Sequence, residues 1–254
     1  MFRSRLLLAI ICVGSANAAG PSYAAANIVN ASNYASGPFA PNSVISIFGT
    51  GLARSTHALA ADDISGGRLP LEMNFVRVFV ENEAAPLLFV SEGQINFLTP
   101  SLQNLPVVRI RVVNEGVTGP EITVNLVDCA PALFALAGGY TIATSVQGKL
   151  LTTDAPAHPG DTIVIYLTGL GRTVSKLVPG EIPRAADSIL ALSSLKVTIG
   201  PVTVAPALIK YAGVTPGSGG LYQINLIVPE GVGVDPELKV AGDVTSGGLK
   251  LAIR

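Results

Sequence analysis

The chain repeats itself, and this limits what it can fold into more than any other feature. Pro41-Asn42-Ser43-Val44-Ile45-Ser46-Ile47-Phe48-Gly49-Thr50-Gly51-Leu52 lines up with Pro159-Gly160-Asp161-Thr162-Ile163-Val164-Ile165-Tyr166-Leu167-Thr168-Gly169-Leu170, at an offset of 118 residues (159 − 41). Each segment holds a turn, an apolar run and a glycine exit. Gln94-Ile95-Asn96 matches Gln223-Ile224-Asn225 at an offset of 129 (223 − 94), and Pro100 and Pro229 follow within a few residues. The second copy therefore carries about 11 more residues between the two matches. The ends correspond as well, Ile122-Thr123-Val124-Asn125-Leu126 with Leu249-Lys250-Leu251-Ala252-Ile253. The fold must be one that a unit of about 100 residues completes twice.

The runs are short, rich in Val, Ile and Thr, and alternate with period 2, which is the pattern of strands. In the second copy Tyr222, Ile224, Leu226 and Val228 share one face, while Leu221, Gln223, Asn225 and Ile227 share the other. Ile95 and Phe97 keep the same side in the first copy. Val108, Ile110 and Val112 alternate with Arg109 and Arg111 before the turn Asn114-Glu115-Gly116 and a strand over 122–127, a hairpin with one wet face. The counterpart turn is Thr245-Ser246-Gly247-Gly248. Turn signals recur about every ten residues, supplied by 27 Gly and 18 Pro, and no helical stripe is sustained. The expected fold class is all-β, two tandem immunoglobulin-like (IPT/TIG-like) β-sandwiches over 27–128 and 131–254, divided where Pro131 interrupts pairing. An outer-membrane barrel would need longer strands and aromatic girdles, and only 6% of this chain is aromatic.

Residues 1–18 have the three parts of a secretory signal: Arg3 and Arg5, an apolar run over 6–13, and small residues ending in Ala16-Asn17-Ala18. Cleavage is expected after Ala18; Ser22-Tyr23-Ala24 offers a second cut as late as residue 24. An apolar run this short cannot cross a bilayer that needs about 20 residues, so no membrane span is expected in the mature chain. The cut removes two arginines and no acids. The basic count falls from 16 to 14 against 17 acids, and the formal net charge moves from -1 to -3. Charged residues make up only 13% of the chain, which excludes a nucleic-acid binder, while 49% hydrophobic residues exclude disorder. Cys12 leaves with the signal, so no intramolecular disulfide is expected. Cys129 reads as a small buried apolar residue, since Asp128-Cys129-Ala130-Pro131 offers it neither base nor cation. The expected location is secreted or extracytoplasmic: periplasm, outer surface or medium.

Several segments, in order along nearly the whole mature chain, carry a family resemblance: Val29-Asn30-Ala31-Ser32 with Ala40-Pro41, Ile47-Phe48-Gly49-Thr50-Gly51-Leu52, Gln94-Ile95-Asn96-Phe97, Ala130-Pro131, Thr168-Gly169-Leu170-Gly171, and Tyr211-Ala212-Gly213 through Gly220-Leu221-Tyr222-Gln223-Ile224-Asn225. The sequence resembles the secreted Solibacter-type C-terminal domain family of acidobacterial proteins. The resemblance implies secretion and a repeated IPT/TIG-like sandwich, and brings no established activity. Asn42 stands where that pattern favours Gly, and Met73-Asn74 replaces an expected Gly pair.

Gln94 with Asn96, and Gln223 with Asn225, lie two residues apart and so on one strand face. Their amides suit a polar ligand, but recurrence in both copies favours a structural role, satisfying backbone groups of a neighbouring loop or bulge. Phe48 and Tyr166 are equivalent and read as packing against a loop or the other sheet. Tyr211 and Tyr222 flank the loop 213–220, which makes them the candidate binding residues. The clusters Gly49-Thr50-Gly51 and Gly169-Leu170-Gly171 lack the Lys-Ser/Thr of a phosphate loop and read as exit turns. His57 with Asp62 or Asp63 has the residue types of a triad but no nucleophile elbow accompanies them, and His158 lies in a turn. No catalytic residue, metal site or cofactor is expected. The leading expectation is a non-enzymatic secreted or cell-envelope interaction or structural module, its partner an envelope or extracellular protein or a glycan. A polysaccharide-binding module is the alternative and a secreted hydrolase the third reading.

Overall fold

The computed structural model describes residues 20–102, 105–175, 178 and 180–254; the expected signal, 1–18, lies outside the described residues. The alternating runs of the first repeat become ten strands: β1 (Ile28–Asn30), β2 (Val44–Phe48), β3 (His57–Ala58), β4 (Val76–Val80), β5 (Glu83–Ala84), β6 (Leu87–Val90), β7 (Gln94–Leu98), β8 (Val107–Asn114), β9 (Val117–Thr118) and β10 (Ile122–Asn125). One sheet runs β1-β2-β7-β6-β3 and the facing sheet β10-β8-β4-β5, with β9 paired to β8. The second repeat gives β11 (Ala132–Leu133), β12 (Ala143–Ser145), β13 (Thr162–Thr168), β14 (Lys196–Ile199), β15 (Val202–Thr203), β16 (Ile209–Val214), β17 (Tyr222–Ile227), β18 (Glu237–Ala241) and β19 (Leu249–Lys250). Its sheets run β11-β13-β17-β16, with β12 on β13, and β15-β14-β18-β19. The named strand pairs are antiparallel. In chain order these are the A-B-E-D and C-F-G sheets of the immunoglobulin sandwich, each built twice. Helical structure among the described residues is confined to three-residue 3-10 turns.

Alternation along each strand sorts the side chains. Ile45, Ile47, Ile95 and Phe97 from one sheet close against Val78, Val80, Ile110 and Val112 from the other. Ile163, Ile165, Ile224 and Leu226 close against Val197, Ile199, Leu238 and Val240 in the second repeat. These are separate clusters, and each fully buried side chain of this size contributes about 1.5–3 kcal/mol.

Both clusters reach beyond their expected ends. Ser22 exchanges backbone bonds with Thr50, 2.9 and 3.0 Å. The Tyr23 hydroxyl donates to the Pro120 carbonyl at 2.6 Å and accepts from the Val112 N–H at 2.8 Å. Packing of the first sandwich thus begins upstream of residue 27, and a cut after Ala24 would strip Tyr23 from its core. Cys129, 2% exposed, belongs to the second cluster although it precedes residue 131.

The junction is hydrogen-bonded. The Thr168 hydroxyl accepts from the Val44 N–H at 3.1 Å and donates to the Gly220 carbonyl at 2.9 Å. Leu69 N–H bonds the Gly180 carbonyl at 2.8 Å, and Ile182 N–H the Gly67 carbonyl at 2.9 Å. Asn42 (φ +59°) and Asn74 (φ +46°) both take left-handed turn positions, the conformation Asn tolerates best after Gly.

Candidate functional site

The outward faces of the A-B-E-D sheets carry one arrangement twice. Phe48 on β2 lies directly across from Gln94 on β7, and Ser46 across from Asn96. Asn96 in turn lies across from Phe89 on β6. In the second repeat Tyr166 is across from Gln223, Val164 from Asn225, and Asn225 from Tyr211. Directly opposed residues share a face, so each repeat presents aromatic, Gln, Asn, aromatic across three strands. Both third strands carry a register shift just before the aromatic, between Leu87 and Phe89 and between Ile209 and Tyr211. A bulge re-aims side chains: in β6 it turns Phe89 outward while Leu87 and Val90 stay in the core.

The amides bond to each other. Gln94 Nε2 donates to Asn96 Oδ1 at 2.9 Å, and Gln223 Nε2 to Asn225 Oδ1 at 2.8 Å. Ser46 Oγ adds a second bond to Asn96 Oδ1 at 2.8 Å. Among the described residues the amides thus bond each other and, in the first repeat, Ser46. Asn Nδ2 as donor and Gln Oε1 as acceptor are left toward the outside, since an amide offers more bonds than this pairing uses. Phe48 and Tyr166 are half-buried on this outer face and not in the core. Tyr34, 65% exposed, extends the first row, its ring 6.2 Å from that of Phe48.

The expected binding pair is divided. Tyr222 is fully buried in the second core, and its hydroxyl bonds the Gly171 carbonyl, so it is unavailable to a ligand. Burial pushes its pKa up. Tyr211 is half-buried; its hydroxyl accepts from Asp187 N–H at 3.0 Å and lies 2.7 Å from the Val214 carbonyl. Its ring belongs to the row, but its polar end is engaged. Phe89 is the member that sequence reasoning missed, because the bulge places its match, Tyr211, at an offset of 122 (211 − 89), between those of the flanking strands.

The other candidates resolve into turns. His57 Nε2 meets Asp63 Oδ2 at 2.9 Å, and the same carboxylate accepts the Ala60 N–H at 2.7 Å. The Ala60 N–H and then His57 hold its carboxyl below the usual carboxylate range. Ser55 Oγ instead accepts from Asn74 Nδ2 at 3.0 Å. His158 N–H bonds Asp161 Oδ2 at 2.8 Å within one turn. Among the described residues no three His, Cys, Asp or Glu gather in a way that could hold a metal, and no helix is long and apolar enough to cross a membrane.

No protein-family model matches the sequence, and no curated protein does. Solved structures do match. The surface glycan-binding protein PbSGBP-B from Prevotella bryantii is 12% identical, with a TM-score of 0.27, over 84% of this chain and 36% of that one. SGBP-B from a xyloglucan utilization locus in Bacteroides uniformis is 11% identical, TM-score 0.27, over 92% of this chain and 50% of that one. The extracellular region of plexin A4 is 13% identical, TM-score 0.31, over 98% of this chain and 20% of that one. The chain thus spans half or less of each of these proteins.

Proposed function

We propose that the chain is a non-enzymatic binding module that works outside the cytoplasm. The observation that carries this reading is the duplicated row, Phe48–Gln94–Asn96–Phe89 and Tyr166–Gln223–Asn225–Tyr211, on the outward sheet faces. The core-facing residues of these strands recur because each sandwich needs a core. Outward residues are not needed to close the core, and the amides are seen to bond each other, so the recurrence of residue class, register and amide pairing fits two copies of one contact surface. Export is supported by the charge, apolar run and small-residue end over 1–18.

The test is affinity capture with residues 19–254 against native envelope proteins and a glycan panel in parallel. The reading expects a retained partner that is lost when Gln94, Asn96, Gln223 and Asn225 are all changed to Ala. Turnover of a captured substrate, or capture indifferent to those four changes, would overturn it.

A further inference from the structure

Resting on that reading, we propose that each row is a subsite for a neutral polysaccharide. The row residues carry no formal charge; they are two aromatic rings and two amides in each repeat. Gln Oε1 accepts and Asn Nδ2 donates, and the Gln–Asn bonds of 2.9 and 2.8 Å hold these groups side by side. A pair of adjacent sugar hydroxyls, each able to donate and accept, fits such a pair, whereas a phosphate or carboxylate would need cations that the row lacks.

The flanking rings supply flat apolar surface for the C–H faces of a pyranose. Three neighbouring strands span about 10 Å, so a row is wide enough to place amides and rings under one short stretch of glycan. Duplication fits the same chemistry. A repeating ligand presents equivalent units to equivalent sites, and two weak sites on one chain gain from effective concentration. The rows are unequal: Ser46 and Tyr34 reinforce the first, while Val164 replaces the serine and the Tyr211 hydroxyl is occupied in the second. The first row is therefore the stronger subsite.

The experiment is affinity gel electrophoresis of residues 19–254 through soluble β-glucan, xylan, mannan and starch, with alginate as the anionic control. Retardation is expected by a neutral polymer, and it should persist when salt is raised about tenfold, since no ion pair is screened. Asn96→Asp should weaken retention by about tenfold or more, Asn225→Asp by less, and the double variant should abolish it, with unchanged melting as the folding control. Gln94→Ala gives a second route to the same loss if Asn96→Asp disturbs the strand. Retention that survives the double variant, or retention by alginate alone that salt abolishes, overturns the inference. Capture of an envelope protein or of a second copy of the chain through these rows, with no neutral polymer retained, also overturns it but leaves the binding module standing. Failure to bind either class overturns both.

Discussion

Phe75 is held in the left-handed region at φ +62°, beside Asn74 at +46°, in the tight turn between Met73 and Val76, and 70% of it is exposed. Two consecutive positive φ values define the hairpin turn that favours Asn-Gly, and a bulky side chain there costs about 1–2 kcal/mol. Phe75→Gly should therefore raise stability by about 0.5–1 kcal/mol after the added freedom of the unfolded chain is subtracted. A lower urea midpoint would show that the ring packs on something. Cys129 makes the opposite kind of statement. Burial, with Asp243 and Asp128 nearby, pushes its thiol up to about 12, whereas in the unfolded chain it ionises near 9. The folded state keeps its proton where the unfolded state loses it, so stability is full below about pH 9 and falls as pH rises toward 12. Cys129→Ala should remove the part of that loss beginning near pH 9, and leave the part beginning near pH 10 that Tyr222 and Tyr23 contribute through their raised values. Denaturant melts at pH 8, 9 and 10 check this. At this scale the sequence was readable wherever alternation decides: it already put Tyr222 on the face of Ile224 and Leu226, and the burial of Tyr222 follows from that face rather than from the loop it flanks.

Among the elements, the long strands were legible because both faces of β7 and β17 alternate cleanly, and the repeat offset assigned their partners. The two-residue strands β3, β5 and β9 were not, since pairing at an edge is decided by what lies beside the strand. His57-Ala58 reads as polar loop until β6 pairs with it. The bulges of β6 and β16 were hidden for a related reason: an inserted residue breaks the period by which strands are read. The glycine exits were legible as turns, but not what presses on them. Gly169 and Gly171 sit at φ +82° and +84°, and a Cβ there would stand 2.1 Å from the Ala130 carbonyl oxygen and 1.9 Å from that of Asp128. The exit of β13 and the linker between repeats are thus in backbone contact, which only glycine permits on either count. Gly171→Ala should cost at least ~2 kcal/mol through backbone strain and displacement of the linker. A fall in melting temperature with the far-ultraviolet spectrum kept is the expected result, and an unchanged midpoint would mean that the linker gives way freely.

For the whole molecule, two cores that close separately would permit two independent bodies, and the sequence, which shows only the repeat and Pro131 between its halves, gives no reason to expect otherwise. The junction provides one. Thr168 is fully buried, and its hydroxyl takes the Val44 N–H at 3.1 Å from one repeat and gives its proton to the Gly220 carbonyl at 2.9 Å in the other. The backbone bonds between residues 67–69 and 180–182 clamp a second point. Loss of this acceptor by the half-buried Val44 N–H costs about 1–3 kcal/mol, and Val has nearly the shape of Thr without the oxygen. Thr168→Val therefore tests the coupling with little change in packing. The wild-type chain should unfold in a single calorimetric transition whose measured and van't Hoff enthalpies agree. In Thr168→Val the stability should drop by about 1–3 kcal/mol, with the van't Hoff enthalpy falling below the calorimetric value as the repeats begin to melt apart. Two resolved transitions already in the wild type would show that each sandwich unfolds on its own account, and that the two rows are then carried by a hinged pair rather than by one body.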